Sequence, residues 1–267
     1  MRVARALLVS TAVAFGASVP AAEAEDIDLG QYQMTFEENF DDLDVSEWGP
    51  GTRWIAHTPW SGDFGDAKFV APGDHFPFAV QDGILTITMK KGDDGQWRSG
   101  LLASVDRKGV GFSQQYGYFE MRAKFPAGEG VWPAFWLVGV ERLADNPAGT
   151  AEIDVVEHYG RAPAEYSSSV HVWPIAEGVK KSSVTHKTPV PRGSLSDDFH
   201  RYGVLIEAEQ MRFYLDGTEV WSHPTPEFHR QPMFILLNLG LGAGWPIENA
   251  PNPAEMKVDY VRVYARP

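Results

Sequence analysis

From residue 152 the chain reads Glu-Ile-Asp-Val-Val-Glu, and few folds can accommodate such a run. Three acids in six positions are separated only by β-branched apolar residues, which favour extended backbone. Burying all six would strand unpaired charges in an apolar interior, and exposing all six would leave Ile153, Val155 and Val156 in water. A strand that packs one face on a core and presents carboxylates from the other satisfies both demands. Side chains alternate along a strand, so Glu152 and Asp154 share a face. Strict alternation would turn Glu157 to the opposite face. One extra residue, a β-bulge within Val155-Val156, returns it to the acidic one.

The rest of the chain supports an all-β reading. Leu85, Ile87 and Met89 alternate with Thr86 and Thr88, and Phe119, Met121, Ala123 and Phe125 alternate with polar or aromatic neighbours. Met211, Phe213 and Leu215 do the same, and Asp216-Gly217 then supplies a hairpin turn before Thr218-Glu219-Val220-Trp221. No segment carries a sustained helical period. Many short strands punctuated by Gly, Pro, Asn and Asp predict a sandwich or jelly roll.

Residues 1–24 read as a secretory signal. Arg2 and Arg5 precede a short apolar run from Ala6 to Val19, and Ala22-Glu23-Ala24 offers a cleavage site. Export places the remainder in the periplasm or outside the cell. Residues 25–267 contain no linker, low-complexity tract or repeat, and are expected to form a single domain. The chain has no cysteine, which removes disulfides and thiol chemistry. Its formal net charge of −13 argues against nucleic-acid or anionic-membrane partners. Nothing after the signal is long and apolar enough for a membrane span, and nothing in the sequence demands more than a monomer.

Paired carboxylic acids flanking a glycosidic bond are the machinery of glycoside hydrolysis. Among the nine tryptophans, Trp132 and Trp136 lie four residues apart, so on a strand they face the same way. Flat aromatic faces suit the apolar faces of sugar rings, although each of these tryptophans is equally compatible with a core position. Glu120 and Arg122 share a strand face, and a structural ion pair is their simplest reading.

These residues resemble glycoside hydrolase family 16. The resemblance runs through Trp48, residues 116–122, Trp132 to Leu137, Glu152 to Gly160, His171, Phe199-His200, residues 213–217, Leu237-Asn238-Leu239 and residues 258–264, in that order. Two residues precede the final Glu of the acidic motif, as in the laminarinase-like and galactanase-like branches. The resemblance implies a β-jelly-roll sandwich of two curved antiparallel sheets whose concave face is a glycan cleft. It implies hydrolysis with retention of anomeric configuration, with Glu152 as nucleophile and Glu157 as acid and then base. Asp154 between them would hydrogen-bond Glu152. His171 matches the family's cleft histidine. Trp173 and Trp245 are candidate cleft walls and Asn238 a candidate polar contact, each equally placed for packing. No cofactor is required for catalysis. A structural calcium is implied at Glu38, the backbone of Gly83, and Asp259, although Asp259 also reads as an ordinary exposed strand residue.

The expected substrate is a polysaccharide, foremost a β-1,3 or mixed β-1,3/1,4 glucan cut internally. A bacterial exopolysaccharide and a galactan such as agar or carrageenan are alternatives within the same chemistry, and transglycosylation shares its covalent intermediate. A non-catalytic glycan-binding sandwich is the alternative outside it. Loops at residues 53–79, 141–150, 174–192 and 241–253 are expected to decide among substrates, with Arg53 to His75 building one end of the cleft.

Overall fold

The computed structural model describes residues 26–60 and 62–267, so the expected signal at 1–24 lies outside the described residues. Two β-sheets face one another. The sheet that carries the acids runs in the order Ser182–Pro189, Glu165–Pro174, Gly149–Glu157, Val131–Gly139, Met233–Leu241, Leu101–Ala103, Trp54–Ile55 and Val45–Ser46, with Ser113–Gln114 also on Met233–Leu241. The second sheet runs Thr218–Pro224, Gln210–Leu215, His200–Ile206, Gly117–Lys124, Ala254–Ala265, Ile84–Lys91, Trp97–Ser99 and Ala67–Phe69. Gln33–Glu38 adds to Ala254–Ala265, and Phe78–Gln81 to Ile84–Lys91. Ala254–Ala265 thus pairs with three strands drawn from widely separated parts of the chain.

The expectation of wholly antiparallel sheets needs one correction. Each sheet ends in a short parallel pair, Val45–Ser46 with Trp54–Ile55 and Ala67–Phe69 with Trp97–Ser99. Among the described residues helix is confined to single turns at Val140–Leu143, Ser194–Asp197 and Glu227–His229. Among the described residues no helix is long and apolar enough to cross a membrane.

The main core fills the space between the sheets, and strand alternation selects its members. Phe119, Met121, Ala123, Val261 and Val263 from one sheet meet Phe135, Leu137, Ala151, Ile153, Ile235 and Leu237 from the other. The residues between them point outward. On the acid-bearing sheet, Ala134, Trp136, Val138, Phe234 and Leu236 form a second apolar layer, covered by Trp60, Phe64 and Phe69. The segment that supplies this cover belongs to the stretch expected to build one end of the cleft. It is pinned where Asp66 donates its backbone N–H to the Leu241 carbonyl at 2.9 Å. Gly65 there has φ +70°, and a Cβ on it would lie 2.4 Å from that same carbonyl, so the turn depends on glycine.

One expectation fails on the second sheet. Glu120 does not pair with Arg122. It is buried, accepting hydrogen bonds of 2.8 Å from both the Tyr118 and Tyr260 hydroxyls, while Arg122 pairs with Asp259. At the positions implied for calcium, both side chains have protein partners. Glu38 is buried, accepts from the Trp54 indole at 2.9 Å and from the Phe40 backbone N–H at 3.0 Å, and pairs with Arg53. The Asp259 carboxylate is matched by the Arg122 guanidinium. A hard cation there would have to share these carboxylates with the donors already present.

Candidate active site

The bulge that brings the acids together is visible in the strand register. Ala134 stands opposite Glu157, Phe135 opposite Val156 and Trp136 opposite Asp154, which leaves Val155 without a partner. On the other side Asp154 faces Ser169 and Glu157 faces Ser167. Val155 and Val156 both turn into the main core. Two consecutive inward residues shift the alternation by one, and Glu157 emerges on the same face as Glu152 and Asp154.

All three acids line one pocket of about 270 Å³, with Trp60, Phe64, Trp132, Trp136, Trp173 and Asn238 around them. The two flanks of the acidic strand differ. Toward Val131–Gly139 the wall is aromatic. Phe64 packs edge-on to Trp132 and Trp136, with ring centroids 5.3 and 5.7 Å apart. Toward Glu165–Pro174 the cross-strand neighbours are Ser167, Ser169 and His171, and beyond them Lys187, Thr185 and Ser183. The pocket therefore offers an apolar wall on one side and hydroxyl and charged groups on the other.

Each acid has its own set of contacts. Glu157 accepts hydrogen bonds at one carboxylate oxygen from the Trp132 indole at 3.0 Å and the Tyr159 hydroxyl at 2.9 Å. Glu152 accepts from the Trp173 side chain. Its backbone carbonyl lies 3.2 Å from Nε2 of the fully buried His229. Asp154 lies with its Oδ2 3.2 Å from His171 Nε2. Polar atoms of Glu152, Asp154 and His171 all lie within 4.8 Å of one another. His171 in turn packs against Trp173 at 4.8 Å.

Burial dominates the electrostatics. It raises Glu152 to about 8, aided by repulsion from Asp154. It also raises Asp154 well above the usual carboxylate range, with Glu157 adding to the effect. Glu157 is raised by burial too, and is partly restrained by the hydrogen bonds from Tyr159 and Trp132, which favour its ionised form. Burial lowers His171. Burial thus disfavours the charged form of both partners in the Asp154–His171 contact. The acids titrate as a coupled set. Environments that separate neighbouring carboxyls in this way are typical of acid–base pairs.

The remaining expected residues divide. Trp132 and Trp173 are half-buried in the pocket wall. Trp136 also lines it, but is only 7% exposed, and its indole donates to Asn238 Oδ1 at 2.9 Å. Its main part is to set Asn238, whose fully buried Nδ2 has no partner among the described residues. Trp245 lies outside this pocket. It borders a neighbouring one with Tyr159 and Arg161. His158 faces away from the acids and stacks on Phe125.

Four residues of the site escaped the sequence reading. Tyr159 carried a usable signal, since period-two alternation continued two residues past Glu157 puts it on the acidic face. Trp60 and Phe64 reach the pocket from a loop, and His229 reaches the Glu152 backbone from a single helical turn. Neither setting has a sequence period that points to the acids.

Fold and sequence comparisons together assign this jelly roll to a family. Residues 66–262 match the model of glycosyl hydrolases family 16, and the chain belongs to that family. It is 33% identical over 261 residues to an endo-1,3-1,4-β-glycanase of Rhizobium meliloti, EglC, covering 90% of this chain and 53% of that protein. A second R. meliloti endo-1,3-1,4-β-glycanase, ExsH, is 30% identical over 90% of this chain and 53% of its own length. The chain thus spans about half the length of these two curated relatives. Among solved structures, SCLam, a non-specific endo-β-1,3(4)-glucanase of the same family, superposes with a TM-score of 0.70 at 23% identity, over 94% of this chain and 98% of that one. The laminarinase catalytic domain of Thermotoga maritima gives 0.67 at 23% identity, over 88% and 98%.

Proposed function

We propose that this protein is a secreted, retaining endo-β-glycanase that hydrolyses internal β-1,3 or mixed β-1,3/1,4 glucan linkages. The observation that carries the reading is the bulge at Val155, which sets Glu152 and Glu157 on one pocket-lining face with Asp154 between them. Family membership and the endo-acting glucanase relatives support the reaction class. The export of the chain rests on its amino-terminal sequence.

In this mechanism a carboxylate oxygen of Glu152 attacks the anomeric carbon as Glu157 protonates the departing glycosidic oxygen. The bond to the leaving sugar breaks, and a glycosyl ester forms on Glu152. Glu157, now ionised, takes a proton from water, which attacks the same carbon and frees Glu152. Glu157 must hold a proton at the outset, and burial favours that form. Glu152 is raised as well, so it must give up its proton before it attacks. The upward shift of Asp154 lessens the negative charge beside the nucleophile. Trp173 orients Glu152 through its indole N–H, and His229 holds the nucleophile's backbone from behind.

The test is product release from β-1,3-glucan, mixed-linkage glucan, agarose, carrageenan and an acidic bacterial exopolysaccharide, with the parent beside Glu152→Gln. The parent is expected to release oligosaccharides from one or both glucans, and the variant none. Retained binding to a glucan without cleavage by the parent would replace this reading with that of a glycan-binding sandwich.

A further inference from the structure

Next to the catalytic pocket, on the Glu157 side, lies a second pocket of about 380 Å³ bordered by Tyr159, Arg161, Glu165, Lys187 and Trp245. Tyr159 joins the two. Its hydroxyl donates to Glu157, and its ring stacks on Trp132, with centroids 6.0 Å apart at 16°. A polysaccharide extended from the scissile position on this side would pass over Tyr159 toward Arg161.

We propose that this second pocket is a subsite for a carboxylate carried by the polysaccharide, and the inference rests on the glycanase reading above. The chain is strongly acidic overall, yet this pocket presents two cations and one acid. The acid, Glu165, is matched by Lys187 at 2.5 Å. Arg161 pairs with no carboxylate among the described residues. Its guanidinium carbon lies 3.6 Å above the Trp245 ring. Stacking fixes the plane of the guanidinium and leaves its edge N–H groups free for a planar acceptor with two oxygens. Trp245 is 46% exposed, on a tight turn where Ala243 and Gly244 both have positive φ. It serves as the platform that holds the arginine.

The carboxylate can be that of a uronic acid in the backbone or of an acidic substituent on a neutral backbone. Both offer the same acceptor. Two substrates separate them: a mixed-linkage glucan oxidised at C6 to glucuronate, and the same glucan carboxymethylated at its hydroxyls. Each is compared with the untreated polymer, using the parent, Arg161→Gln, and Lys257→Gln on the opposite sheet as a charge control.

The expected result for Arg161→Gln is a rise in KM of about tenfold on one or both carboxylated glucans, with less than a twofold change on the neutral one. The parent's KM on the carboxylated polymer should rise with salt, and that dependence should flatten in Arg161→Gln. Lys257→Gln should match the parent. Equal effects of Arg161→Gln on neutral and carboxylated polymers would overturn the subsite. Binding is read separately by electrophoresis of Glu152→Gln through gels containing each polymer. If the parent cleaves no glucan, Arg161-dependent retardation by a carboxylated polymer upholds the subsite while the glycanase reading fails. Retardation that ignores Arg161 sinks the subsite alone.

Discussion

At the scale of single residues, the site holds acids where a stable protein would place none. Glu152 illustrates the cost. Its pKa rises from 4.5 to about 8 on folding. The folded and unfolded states bind this proton alike below about pH 4.5, and the folded state is progressively disfavoured as pH climbs toward 8. Glu152→Gln should therefore abolish turnover and yet melt at a higher temperature. The gain should be negligible near pH 4 and reach about 1–3 kcal/mol by pH 8, read from thermal unfolding across that range. A constant gain at every pH would show that ionisation is not its source. Tyr159 makes the complementary case. Its hydrogen bond favours ionised Glu157, so Tyr159→Phe should raise the pKa of the general acid. The alkaline limb of the pH–rate profile then moves to higher pH, because Glu157 keeps its proton longer. An unmoved alkaline limb would count against Glu157 as the acid.

Among the elements, the strand Gly149–Glu157 matters most, and within it the unpaired Val155. Both valines of the bulge turn into the core, so Val155→Asp would bury a carboxylate there. The substitution should destabilise the protein by about 3 kcal/mol or more and remove activity, as judged by chemical denaturation and glucan hydrolysis. Near-normal stability would mean that Val155 does not turn inward and that the bulge is not placed as described. This strand also marks how far the sequence could be read. The spacing of Glu152, Asp154 and Glu157 against Ile and Val contains both the strand and its bulge, because period-two alternation is local. Alternation likewise picks out Phe119, Met121 and Ala123 as core. The partner of Asp154 was not legible, since His171 is set opposite Glu152 by register between strands and reaches Asp154 diagonally. The same limit explains Glu120, whose satisfaction by Tyr260 depends on a contact 140 residues away in sequence. Trp60 and Phe64 depend on a loop whose path is fixed by one left-handed glycine and one backbone hydrogen bond.

For the whole molecule, the flanks of the acidic strand differ, with aromatic rings on one side and hydroxyl and charged groups on the other. The edge strand on the polar side, Ser182–Pro189, carries Lys187 and ends in proline, which discourages pairing with another sheet. The opposite sheet closes around Ala254–Ala265, which holds together strands beginning at residues 33, 84 and 117. A chain ending at residue 253 should lack near-UV dichroism and yield to protease at concentrations that leave the full chain intact. A protease-resistant truncated product would refute that dependence. The three-way pairing also bears on how the protein comes into being. A ribosome emits the partners of this strand long before the strand itself, so they must wait with open edges. Completion of this sheet waits until residues 254–265 have been made, and until then the nascent chain needs shelter from its neighbours.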